Sequence, residues 1–415
     1  MRMFKSFLTL TLLFTFFTSP ASAVEIPLSF QVKGAGFGHG VGMSQMGARS
    51  MALSGQTPVQ ILQYFYQDVL VLPRSDTETI RVNIGHELSS TKIFTRTAGA
   101  LVQLFSGEIG NQVDATPIAV FSNNASLNLS VLGENVIPSI NVGKKSTALM
   151  ANRSFTIRWS GTRNLSGIDA LMSVSHGSAS KKYRYGQMQI RAVKVAILGY
   201  RLELTNSLRL SDEYLWGVSE MPSFWPLAAL QAQVIASRTY ALSKLGKYRV
   251  GCDCDIYSEI SDQNFLGFAK EAELKYGALW KRAVTDTAGL TIIQNDLPIN
   301  AYFFSSSGGK TESALNAWGS SRAYTHIVDD PGSLDPKLNP RFTSWSRAIS
   351  QEVVAAAFLL PDVVSLELLT RNESGTVGQV RATSSAGVRK ILRGEAFRSK
   401  TKIPSAYFEL VGVQN

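Results

Sequence analysis

The sequence predicts an α+β protein: a mixed β-sheet core with packed helices and a β-rich inserted domain. Three observations predict it. Residues from about 77 to 178 are short β-branched runs separated by Gly, Asn, Asp and Ser. A long helical pattern with its apolar residues mainly on one face occupies Pro226 to Leu242. Strand-like text then returns at the C-terminal end. The chain has 415 residues, 45% hydrophobic and 17% charged, which excludes a disordered tail or a coiled coil and fits two or three domains with cores of their own.

In chain order, Arg2 and Lys5 precede the apolar run Phe7 to Phe17, and Ala21-Ser22-Ala23 follows Pro20. This reads as a secretory signal peptide over residues 1–23, cleaved near Ala23. The run is short against the roughly 20 residues that span a bilayer, so a secreted or cell-wall location with no stable membrane span is expected. Cleavage would remove two cations and lower the formal net charge from +10 to +8. A basic exported protein meets anionic wall polymers, lipid headgroups or peptidoglycan carboxylates. The cations are dispersed, with Lys144-Lys145 and Lys181-Lys182 the densest pairs, so no nucleic-acid stripe is present.

Residues 24–72 open with a strand-like stretch, Leu28 to Lys33, then a glycine-dense loop, then helical segments Ser44 to Leu53 and Pro58 to Tyr66. The alternating Gly34, Gly36, Gly38, Gly40 and Gly42 fit no dinucleotide fingerprint in any frame. They imply a backbone that turns with positive φ or passes close to another backbone or a ligand, with His39 at the tip. Residues 73–180 form the β-rich insert and 181–415 the remaining core. Within that core, Ser223 offers a cap and Pro226 suits the first turn of the long helix. A second helix is expected at Ala269 to Lys281, followed by strands at Leu290 to Gln294, Ile299 to Phe304, Val364 to Leu369, Val377 to Thr383 and Ala406 to Val411.

Several chemistries fail on spacing. None of the four histidines lies three to five residues from another, so the zincin pattern is absent, and two cysteines cannot make a four-cysteine zinc site. Gly308-Gly309-Lys310-Thr311 lacks the first glycine of a phosphate loop, since Phe304 stands there. Ser305-Ser306-Ser307 with His326 and Asp329 lacks the strand-turn-helix context of a serine nucleophile. Cys252 and Cys254, one residue apart and flanked by Asp253 and Asp255, rank as a local disulfide first, free thiols second and metal ligands third.

The segment of sharpest character runs from Tyr214 to Pro226, Tyr-Leu-Trp-Gly-Val-Ser-Glu-Met-Pro-Ser-Phe-Trp-Pro. It sets a lone carboxylate, Glu220, at the mouth of a helix among Met221, Phe224 and Trp225. Apolar neighbours raise a carboxyl pKa and would suit Glu220 to general acid catalysis. Satisfaction of backbone donors at the helix start explains the same residue equally well.

With Leu230-Gln231-Ala232-Gln233-Val234-Ile235-Ala236-Ser237-Arg238-Thr239-Tyr240-Ala241, this segment resembles the stage II sporulation protein D (SpoIID) family, which includes amidase-enhancer proteins. The resemblance continues through Asp262 to Gly267, Phe304 to Glu312 and Gly394 to Arg398, and covers residues 183–412 plus Gly36 to Gly47. It implies a peptidoglycan lytic transglycosylase acting on glycan strands stripped of stem peptides, with Glu220 as acid and base. The alternative from another class is a wall-binding module that enhances a partner amidase without cutting glycan. Gln233, Arg238, Gln263, Ser306, Glu312, His39, Ser44 and Trp225 are the candidate substrate-binding residues. Some relatives hold zinc through mixed His and Cys ligands. Here no His neighbours Cys252 or Cys254, so no metal and no cofactor is assigned. The motif Gly36 to Gln45 commonly follows the last strand in relatives but here sits near the N-terminus, so the two ends of the mature chain are expected to meet.

Overall fold

The computed structural model describes residues 25–414, and the signal-peptide reading of 1–23 lies outside the described residues. Helices and mixed sheets make an α+β architecture. Two sheets dominate its first half. A seven-stranded sheet has the order Ile256–Tyr257, Thr79–Leu88, Gly199–Arg209, Gln187–Val195, Ser154–Trp159, Leu101–Ser106, Ala119–Ser122. A six-stranded antiparallel sheet has the order Lys145–Ala148, Asn135–Val142, Ala125–Leu132, Ser90–Thr95, Met172–His176, Ala179–Tyr183. Their inner faces carry the alternating apolar residues of each strand, such as Ile93, Leu127 and Val174 against Phe155, Ile157 and Ile190, in one buried core. The boundary drawn at residue 180 falls inside a strand, and strands on either side of it share the larger sheet.

The chain ends meet as expected. Ser29–Gly34 is the middle strand of a three-stranded sheet, antiparallel to Trp345–Ser350 on one side and to Phe408–Gln414 on the other, with Phe30 opposite both Ile349 and Val413. A second buried core, including Phe30, Val32, Trp345, Phe397 and Phe408, forms beneath it. The N-terminal segment pairs twice more. Met43–Ser44 runs parallel to Phe303–Phe304, and Leu70–Pro73 runs antiparallel to Leu290–Gln294.

Three helices position the site. Helix α1 (Gln45–Leu53) is capped by the Ser44 hydroxyl, which accepts from the Gly47 N–H at 3.1 Å. Helix α2 (Pro58–Phe65) starts with a capping box between Thr57 and Gln60 and with proline in its first turn. Helix α3 (Leu227–Lys244) is buried on almost every side from Ala229 to Ala241, which is why its apolar residues alone underdescribe it.

Three expectations need correction. Ser223 does not cap α3: a turn closed by the Trp225 N–H on the Pro222 carbonyl intervenes, and the buried Ser223 Oγ has no partner. The helix expected at 269–281 is two pieces, Phe268–Glu271 and Gly277–Asp286, because Lys275 takes a left-handed φ of 72° and the chain turns back so closely that a Cβ on Gly277 would lie 2.1 Å from the Glu271 carbonyl oxygen. The strand expected at 299–304 is reduced to Phe303–Phe304, the length over which Met43–Ser44 offers a partner.

Candidate active site

Glu220 is half-buried and held from four directions. Its Oε1 accepts from the Asn264 backbone N–H at 2.6 Å, and its carbonyl accepts from Gln45 Nε2 at 3.1 Å. Before it, the Ser219 N–H donates to the Asn264 carbonyl, while Asn264 Nδ2 returns a bond to the Ser219 carbonyl. After it, the Met221 carbonyl accepts from Nζ of Lys270, a fully buried lysine that also bonds Glu273 and lies over the Trp280 ring. Oε2 takes no hydrogen bond from the described residues. Burial pushes the Glu220 carboxyl up to about 7, opposed by the Asn264 N–H, and no neighbouring charge contributes to the shift. A carboxyl with one fixed oxygen, one free oxygen and a pKa near neutrality can give a proton and take one back.

Gln45, the first residue of α1, reaches both Glu220 and the next candidate. Its Nε2 lies 3.2 Å from Oε1 of Gln233, whose own Nε2 donates to Ser237 Oγ at 3.1 Å. Gln263 is equally buried. It accepts from the Tyr214 hydroxyl at 2.6 Å, and burial with the nearby Glu220 charge raises the Tyr214 pKa. Gln233 therefore braces the Gln45 amide that holds the Glu220 carbonyl, and Gln263 is spent on Tyr214 and the Ser237 carbonyl.

The glycine-rich loop threads between residues 302–312 and 404–408. Gly42 has φ 78°, and a Cβ there would lie 2.1 Å from the Tyr302 carbonyl oxygen, so both conformation and space require glycine. Ser44, fully buried, joins a second polar cluster. Its Oγ lies 3.1 Å from Ser333 Oγ, and Ser333 and Ser307 both donate to Oδ2 of the buried Asp330. Burial raises the Asp330 pKa, and its Oδ1 has no partner.

The remaining candidates sit elsewhere. His39 makes no contact with Glu220. Its Nδ1 accepts from the Val41 N–H at 3.0 Å, its ring lies against Phe304, Tyr302 and Trp318, and burial together with the Arg398 charge lowers its pKa to about 4. It is a neutral packing group that fixes the loop. Arg238 is fully buried and bonds Asp76 at 2.7 Å and the carbonyls of Leu290 and Val284, so its charge is used inside the core. Glu312 is also enclosed. One oxygen accepts from the Ser313 N–H and Asn316, the other from Asn372, Ser374 and Thr376, which ties the turn between the paired strands Ser365–Arg371 and Val377–Thr383 to the core. Trp225 is 5% exposed with Arg49 over its ring, and fills core; its neighbour Phe224, 56% exposed beside Tyr276, is the aromatic available to a ligand. Ser306 Oγ is buried without a partner, and no serine triad forms. His326 bonds the Tyr64 carbonyl and Asp329 pairs with Lys310, while Ser307 takes Asp330.

Gln45, Asn264 and Lys270 are the site residues that sequence reasoning did not select. Gln45 and Asn264 lie in the quoted motifs, so their position was available. Lys270 carried no signal, since its bond to Met221 spans 49 residues. Cys252 and Cys254 form a disulfide, and Asp253 between them is buried under Arg81, Arg191 and Tyr248.

The family model for stage II sporulation protein (SpoIID) matches residues 200–293. Stage II sporulation protein D of Bacillus subtilis (strain 168) is 31% identical over 254 residues, covering 57% of this chain and 70% of the relative. The stage II sporulation protein D of Bacillus amyloliquefaciens is 28% identical over 221 residues, 48% of this chain and 59% of the relative. The protein named amidase enhancer from Bacillus subtilis (strain 168) is 29% identical over 134 residues, 32% of this chain but only 16% of its own length. No solved structure matches the chain. The matched stretch includes Glu220, Asn264 and Lys270 but not Gln45, and with a relative 31% identical and covered over 70% of its length the chain belongs to the stage II sporulation protein D family.

Proposed function

We propose that the protein is an exported lytic transglycosylase that cleaves peptidoglycan glycan strands with Glu220 as its one acid and base. The observation that carries the reading is the Glu220 carboxyl, raised to about 7 by burial, anchored through one oxygen and free at the other. Hydrolysis of a glycosidic bond ordinarily takes two carboxylates. A single carboxyl suffices when the substrate supplies its own nucleophile. Glu220 protonates the leaving O4, and the muramic acid C6 hydroxyl attacks C1. Glu220 then takes the proton from that hydroxyl, and a 1,6-anhydro ring closes with no water consumed. Phe224, four residues after Glu220 in sequence, offers an exposed ring for a sugar face.

Mass spectrometry of denuded glycan treated with the protein tests the reading. 1,6-Anhydro ends are expected, reducing ends would indicate a hydrolase, and intact strands would remove the catalytic role. A relative named amidase enhancer favours a second reading, in which the protein binds wall glycan and stimulates an amidase. Amidase stimulation that survives Glu220→Gln, with glycan intact, would select it.

A further inference from the structure

The outer face of the six-stranded sheet carries a groove of about 380 Å³ that shares no lining residue with the Glu220 segment and is lined in part by Ser90, Lys92, Asn128, Ser130, Ser139 and His176. Strand register explains it. Ser139, Asn128, Lys92, Ser175 and Ser180 stand directly opposite one another across five strands, so their side chains share one face. The alternate residues Ile93, Leu127 and Val174 face the core. A solvent-facing sheet is ordinarily polar, but here the floor is short. Serine and asparagine leave a trough where long side chains would fill it.

The polar atoms of that trough are unspent. Among the described residues the side chains of Ser90, Asn128, Ser130 and Ser139 make no hydrogen bond to another residue, and the buried Nδ1 of His176 has no partner. The charge is one-sided as well. None of the six strands contains Asp or Glu. On the outer face Lys92 and Arg96 bracket the half-buried Phe94 ring at 5.4 and 5.0 Å, and Lys182 lies opposite Ser173. A row of hydroxyls and amides beside an aromatic ring and three cations is complementary to a polymer of hydroxyls, acetamido groups and spaced carboxylates.

We infer that this groove is a second binding site, which takes an extended, carboxylate-bearing glycan strand. The inference rests on the reading above only in naming glycan as the polymer. It gives the protein a hold on the strand that does not depend on Glu220, so engagement of both sites by one strand raises the effective concentration of glycan at the carboxyl.

The test is cosedimentation with insoluble glycan strands stripped of stem peptides, using the full-length protein carrying Glu220→Gln so that the strands survive. Lys92→Glu and Asn128→Leu, added separately, are each expected to weaken retention about fivefold or more without moving the melting temperature, since both side chains lie in the open groove. Carboxyl-reduced strands should bind the unaltered groove about as weakly as native strands bind Lys92→Glu. Unchanged retention in both variants, no retention of the unaltered protein, or preference for a polyol-phosphate polymer over glycan overturns the inference. Release of 1,6-anhydro products is scored separately with Glu220 intact. Cleavage without groove-dependent retention removes the groove and leaves Glu220 in its role. Groove-dependent retention without cleavage removes the lytic reading and leaves the groove.

Discussion

Glu220→Gln should stabilise the protein at neutral and alkaline pH while sharply reducing the glycan cleavage proposed above. The Glu220 carboxyl stands at about 7 in the fold against 4.5 for the free side chain. A raised carboxyl pKa means that the folded state holds its proton more tightly than the unfolded chain does. Stability is therefore undiminished below about pH 4.5, falls as pH rises from there to about 7, and stays lowered above that. The full displacement corresponds to at most about 3 kcal/mol at pH 8. Gln keeps the acceptor for the Asn264 N–H and carries no charge, so it escapes this cost. Spread over the described fold, that difference raises the melting temperature by about 4 °C at pH 8 and by almost nothing at pH 4.5. Paired thermal or urea denaturation of the two proteins from pH 4.5 to 8.5 measures it, alongside glycan cleavage, which should fall about 100-fold to 10,000-fold. Parallel stability curves would show that Glu220 ionises as it does in water, and the argument for a proton poised near neutrality would fail.

Intact mass of the purified protein should rise by two hydrogens on reduction, and thiol titration should find no free thiol before reductant, because Cys252 and Cys254 are paired. Arg238→Ala should cost about 3–5 kcal/mol in urea denaturation by leaving Asp76 buried without its partner, a loss of stability rather than of substrate affinity. Gly47→Ala should cost about 1–3 kcal/mol, since the new Cβ would lie 2.4 Å from Asp330 Oδ1 and 2.6 Å from the Phe65 ring. Deletion of residues 24–72 should leave a protein without a cooperative melt. A shortened chain that folds and cleaves normally would make the N-terminal segment an appendage.

The legible parts of this protein are those whose causes are local. The helices expected at Ser44 to Leu53 and Pro58 to Tyr66, the glycine loop and the apolar spacing of α3 are written within a few residues of where they act and stand close to the observed elements, although the cap expected at Ser223 is not made. The raised carboxyl of Glu220 is expected for the same reason: its apolar neighbours adjoin it in sequence. The roles of Arg238 and Glu312 are not. A charged residue inside a motif reads as a cleft residue until its partners are known, and these come from far away in the chain, Asp76 at 162 residues and Ser374 at 62. Desolvating either charge is tolerated only because those distant partners close around it. His39 illustrates the same limit, since the rings of Phe304 and Trp318 that enclose it belong to segments some 265 residues on and more.

The placement of the N-terminal segment follows from these pairings. Its three strands each find a partner beyond residue 289, and α1 then delivers Gln45 to the Glu220 carbonyl. A strand needs its neighbours in space, and chain order enters only through whether the connection can be made. Because Ser29–Gly34 lies beside Phe408–Gln414, a segment with these contacts could be joined at either end of the chain with little change in the sheet. The joining point is therefore nearly neutral, whereas the contacts are not: removing the segment would unpair three sheets, expose the apolar face of α3 that α1 covers, and leave the backbone of Glu220 without the amide that holds it.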